Sequence, residues 1–234
     1  MKKLSILFSF VLLFSCSAEA QLLKKAKGLL GGKGGFTKEE AADALKEAFI
    51  QGTGKGVDLL SQLDGYYGNP EIKIPIPPDA KNVESKLRAI GLGNEVDKAI
   101  ESLNRAAEDA AVEAKDIFVA AIKGLTINDA LNIVSGKQDA GTQFLKGQTT
   151  DDLTSKFSPI IKSSLDKVNA TKYWSDVMTK YNKLPLVRKV ETDLTAYVTQ
   201  QAIDGLFVMI AKEELNIRQN PAARTSELLK KVFK

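Results

Sequence analysis

Residues 196–215 read AYVTQQAIDGLFVMIAKEEL. From 202 to 211 nearly every position is apolar, yet Asp204 stands among them. A helix that is apolar all round is buried all round. The stretch therefore predicts a central helix, over 191–217, in an all-α fold. A buried carboxylate must be paired, hydrogen-bonded or protonated. Gly205 beside it removes a side chain and lets another backbone approach. Asp204 is thus expected to meet a basic or donor partner on another helix.

The candidate partners lie in NRAAED, residues 104–109. Glu101, Arg105 and Glu108 are spaced i,i+4 and i,i+3, and Glu214 with Arg218 is again i,i+4. Read locally, these are surface ion pairs worth about 0.2–0.5 kcal/mol each. They sit on a helix predicted over 96–123, the longest of the chain. Its Ile100, Leu103, Ala107, Ala110, Ala114, Ile117 and Ala121 form a 3–4 seam whose small alanines imply close helix contact. This helix and 191–217 are the two long central helices of the expected fold.

Outward from them, the rest is also helical. Thr37-Lys38-Glu39-Glu40 is a capping box, opening a helix that buries Ala41, Ala44, Leu45, Ala48 and Phe49 and ends near Gly52. Further helices are predicted over 55–63, 81–90, 127–135 (capped by Thr126), 138–146, from 151 (capped by Thr150, with a kink or break at Pro159) and 171–181. Leu184-Pro185 reads as a break. Asn220-Pro221 opens a last helix carrying Leu228, Leu229, Val232 and Phe233. The segment EIKIPIPPDA, 71–80, alternates Ile72, Ile74 and Ile76 with three prolines nearby. It suits neither a helix interior nor a central strand. The expectation is an extended strap across the helices, or a peptide-like edge for a partner. The whole is a single domain over 36–234, with about nine or ten helices and one short extended Pro-rich segment.

The 234 residues are 44% hydrophobic and 26% charged, ordinary for a globular protein. A net charge of +4 is too small to argue for nucleic acid. There is no histidine, which removes Ser-His-Asp and Cys-His catalysis and every His-ligated metal site. No EF-hand spacing appears, so no metal or cofactor is expected. Residues 1–20 have the Lys2-Lys3 n-region and short apolar core of an export signal. Two processing sites compete: a lipobox ending at Cys16, the chain's one cysteine, and Ala18-Glu19-Ala20 before Gln21. The place of Cys16 at the end of the apolar core favours the lipobox, with lipidation of Cys16. Residues 21–35, rich in Lys and Gly, read as a flexible basic tether, or as a contact for anionic headgroups.

The set NRAAE, LTINDALNIVSG, YVTQQAIDGLF, EELNIRQNPAAR and LLKKVF resembles the domain-of-unknown-function 4197 family over nearly all of the chain after the tether. The resemblance implies an exported bacterial helical protein and no particular reaction. It also suggests that Asn104, Arg105, Glu108, Asp204, Glu214 and Arg218 form one polar network, either a structural lock or a ligand site. Three functions are therefore weighed. The first is a non-enzymatic, lipid-anchored envelope protein, in the periplasm or on the outer membrane, that binds another envelope component. The second is a carrier of a small amphipathic ligand in a helical cavity. The third is a carboxylate-based hydrolase, for which the single Trp and five Tyr offer few sugar platforms. A cavity above about 300 Å³ at the Arg105–Asp204 junction would favour the carrier, and a filled, fully paired junction the first reading.

Overall fold

The first helix, α1 (Lys38–Leu60), opens on the expected capping box: Thr37 accepts from the Glu40 N–H, and Glu40 accepts from the Thr37 N–H. The computed structural model describes residues 37–183, 189, 193–224 and 230. The segments 1–20 and 21–35, Cys16, the Leu184-Pro185 break and Leu228, Leu229, Val232 and Phe233 of the expected last helix lie outside them. After α1 come a 3-10 turn (Pro78–Ala80), α2 (Lys81–Ala89), α3 (Gly93–Ala111), α4 (Ala114–Lys123), α5 (Ile127–Ser135), α6 (Ala140–Lys167), α7 (Ala170–Tyr181) and α8 (Leu194–Gln219). A 3-10 turn, Pro221–Ala223, follows the Asn220 cap. Among the described residues there is no strand and there are eight α-helices, so the all-α expectation holds with fewer helices.

Three boundaries differ from the sequence expectation, each for a physical reason. Gly52 does not end α1, because the helix approaches α8 there. A Cβ on Gly52 would lie 3.3 Å from the Ile217 side chain. Packing outweighs the low helix propensity of glycine. The 138–146 and post-151 helices are one 28-residue helix, α6. Thr150 is not a cap; its hydroxyl donates to the Lys146 carbonyl inside the helix. Pro159 is exposed, so the carbonyl it leaves without an N–H partner faces water, and the helix runs through it. Conversely, the expected 96–123 helix divides at Val112-Glu113, and α4 leaves α3 to pack on α1 and α6.

The central pair is therefore α6 and α8, with α3, α1 and α4 packed around it. Leu145, Leu153, Phe157, Ile161 and Leu165 of α6 are fully buried against Val198, Ala202, Ile203 and Leu206 of α8 in one core. Leu103, Ala107, Ala110 and Ala114 of the alanine seam are also buried. The apolar run of α8 is not buried all round: Val208 is 36% exposed, and Asp204 lies on the same partly open face. The bent pair α4–α5 is apolar enough to pass a length-and-composition test for a broken span. Phe118, Ile122, Ala130 and Ile133 nonetheless lie in the core. Among the described residues no single helix is long and apolar enough to cross a membrane.

Candidate functional site

Glu108 reaches from α3 into the turn that follows α1. Its Oε1 accepts the N–H groups of Tyr66 (3.0 Å) and Tyr67 (3.1 Å). Its Oε2 accepts from Arg105 at 2.7 Å. Arg105 also donates to Asp64 (2.8 Å) and Glu101 (3.1 Å). Asp64 carries a positive φ of 67°, a strained conformation for a residue with a side chain, and the bond to Arg105 anchors it. Burial alone would lower the basicity of Arg105; its bonds to Glu108, Asp64 and Glu101 raise it instead. Tyr66, fully buried, donates its hydroxyl to the Ala202 carbonyl of α8 at 2.7 Å. Burial, with the Glu108 charge beside it, pushes the phenol far above its ordinary range.

Glu214 does the same work at the start of α6. Its oxygens accept from the N–H of Gly141 (3.0 Å), the N–H of Thr142 (2.8 Å) and the Thr142 hydroxyl (2.7 Å). Arg218 closes the set at 2.7 Å and also donates to the Ile133 carbonyl of α5. Asp139, at the N-cap of α6, makes no side-chain cap bond. Glu214 supplies the missing acceptor from a neighbouring helix, where a negative charge is favourable. Gly141 is required here, since a Cβ would lie 1.7 Å from the Phe49 ring.

Asn104, also buried, holds the extended segment. Its Oδ1 accepts the Ile74 N–H (2.8 Å) and its Nδ2 donates to the Ile74 carbonyl (2.9 Å). The side-chain amide stands in for a neighbouring strand, and Ile72 and Ile74 turn inward. The strap expectation is met.

Asp204 is the correction. Its side chain is 42% exposed and pairs with Lys146 at 3.3 Å and Gln200 at 3.0 Å. It does not join Arg105. Gln200, Asp204 and Val208 follow i,i+4 spacing along the open face of α8, which the apolar neighbours at 202–203 and 205–207 concealed. Close approach at Gly205 comes from the Tyr66 ring and Ile72, 2.9 and 3.2 Å from where a Cβ would stand. The single expected network is thus two separate clamps, a strap anchor and a surface pair. Both clamp carboxylates are spent on main-chain donors and an arginine, and no acid–base pair faces a cavity there. Among the described residues no cluster of three or more His, Cys, Asp or Glu offers a metal site.

An apolar cavity lies elsewhere. Between α2, α3, α7 and the strap is an apolar groove of about 580 Å³, with Ile76, Val83, Leu87, Val96, Leu103 and Trp174 in its wall. This is within the range of small-molecule sites. Helix α2 buries none of its residues; Val83 and Leu87 look into the groove instead of onto a packed core. The helix is legible in the sequence, but the groove is not. Its signal was an apolar face on a helix of nine residues, and whether that face is covered depends on α7, more than eighty residues away.

No curated protein and no solved structure matches the chain. A family model does, over residues 35–234, and its description is "Protein of unknown function (DUF4197)". With nearly the whole helical domain matched, the chain belongs to the DUF4197 family.

Proposed function

We propose that this is a non-enzymatic envelope protein, exported and anchored through Cys16, that holds the apolar part of a small amphipathic ligand in the groove beneath α2. One observation carries the reading: α2 has an apolar face and no buried residue, over a groove of about 580 Å³. A helix of nine residues is too short to persist on its own propensity and depends on tertiary packing. A ligand in the groove supplies that packing. The non-catalytic part is supported by the fate of the polar residues, since Asn104, Glu108 and Glu214 all bind main-chain groups.

Trp174, the chain's one tryptophan, lines the groove and reports on it. Titration with a single-chain amphiphile such as dodecylphosphocholine, below its micelle concentration, is expected to shift and intensify its emission. Ala99→Phe, which fills the groove from α3, is expected to abolish the response. Native mass spectrometry of protein from its own membrane should show a bound mass that leaves on denaturation. A bare polypeptide together with a silent Trp174 would sink the carrier reading and return the search to protein partners.

A further inference from the structure

Nine large apolar side chains are substantially exposed among the described residues, and three of them, Leu92, Val168 and Tyr173, line this groove. A fourth, Ile90, precedes Leu92 by two residues and is 72% exposed. The groove is thus bordered by apolar side chains from the α2–α3 turn, the end of α6 and the first turn of α7. An apolar rim around an apolar opening marks an interaction surface. Its charges point to the partner. Lys167 and Lys172, both exposed, flank Val168 and Tyr173. Among the described residues neither forms an ion pair, and Lys172 lies 6.0 Å from the centre of the Tyr173 ring. Asp166, the acid that precedes Lys167, is bound by Lys162 and Thr171. On α2, Arg88 binds Glu84 and Asp97, and Glu95 and Lys98, which line the groove from α3, carry opposite charges.

From this arrangement we infer that the rim docks on an anionic phospholipid bilayer. Ile90, Leu92 and Val168 enter the acyl boundary, Tyr173 sits at headgroup level, and Lys167 and Lys172 meet lipid phosphates. The groove then faces the bilayer, and an acyl chain passes between them without crossing water. That transfer rests on the carrier reading proposed above; the docking face itself does not.

The test uses the purified mature protein and vesicles of phosphatidylglycerol and phosphatidylethanolamine carrying brominated acyl chains, which quench tryptophan at short range. Trp174 emission is expected to fall on mixing. Val168→Asp/Tyr173→Asp should raise the lipid concentration for half-quenching at least about tenfold. Each of Lys167→Gln and Lys172→Gln should raise it about fivefold, the value of one lysine near an anionic surface. Ala99→Phe should leave quenching intact, and the Lys167→Gln and Lys172→Gln variants, which do not line the groove, should still bind dodecylphosphocholine. Unchanged emission in wild type, or equal quenching of the Asp double variant, would overturn the docking face. Loss of quenching in Ala99→Phe would mean that brominated chains merely enter the groove. That result would overturn docking while supporting the carrier. Sedimentation showing a dimer that the Asp substitutions dissolve, with no vesicle binding, would assign the rim to a second copy and overturn it as well.

Discussion

Glu108 and Glu214 each gather two consecutive main-chain N–H groups and one arginine of their own helix, but the two arginines sit at different depths. The Glu214 side chain is 4% exposed and its Arg218 12%. Glu108 is 5% exposed, while its Arg105 is 28% exposed and divided among three carboxylates. The inner clamp fastens the start of the longest helix to its main neighbour. The outer one fastens a turn to α3. Asp204, chosen from the sequence as the buried carboxylate, is the shallowest of the three acids. Depth here follows from what surrounds a carboxylate in space, not from how apolar its neighbours in sequence are.

The largest expected effect tests the inner clamp. Glu214→Ala should lower stability by about 3–5 kcal/mol, because it strands Arg218 and the first amides of α6 in a buried setting. Urea unfolding monitored by circular dichroism measures it. A loss under about 1 kcal/mol would mean that water replaces the carboxylate and the clamp is shallow. Glu108→Ala should cost about 2–3 kcal/mol by the same method, less than Glu214→Ala because Arg105 keeps Asp64 and Glu101. If the order of the two reverses, depth is not what separates them.

Tyr66 sharpens the comparison through pH. Its phenol ionises far later in the folded chain than in the unfolded one, where the value is about 10. The folded state therefore holds that proton more tightly. The associated stability is fully present below about pH 10 and is lost as pH rises beyond it. Tyr66→Phe should cost about 1 kcal/mol at neutral pH through the lost bond to Ala202, and should flatten the alkaline fall in stability. A wild-type unfolding curve unchanged by Tyr66→Phe above pH 10 would contradict this. The smallest effect belongs to Asp204→Ala: an exposed pair with Lys146 predicts a change below about 1 kcal/mol. A loss of several kcal/mol would reinstate the buried reading.

Much of the fold was legible because its signals are local. The Thr37 and Thr126 capping boxes, the prolines of the strap and the alanine seam each act through neighbours in sequence. What was not legible depends on distant packing. Gly52 reads as a stop until α8 lies against it. The 96–123 seam reads as one helix because no glycine or proline marks the break at Val112-Glu113. Arg105, Glu108, Glu214 and Arg218 were identified as important, yet the distant partners of the two glutamates are backbone N–H groups, which carry no residue identity for a sequence to display. That invisibility is also why one network was expected where there are two.

Bonds from main-chain donors give each clamp its own clock. The amide protons of Tyr66 and Tyr67 at Glu108, and of Gly141 and Thr142 at Glu214, exchange with solvent deuterium only when the bond opens. Four amides thus time two separate events, the release of the α1 turn from α3 and the release of α6 from α8. Whichever pair exchanges first identifies the seam along which the native state begins to come apart.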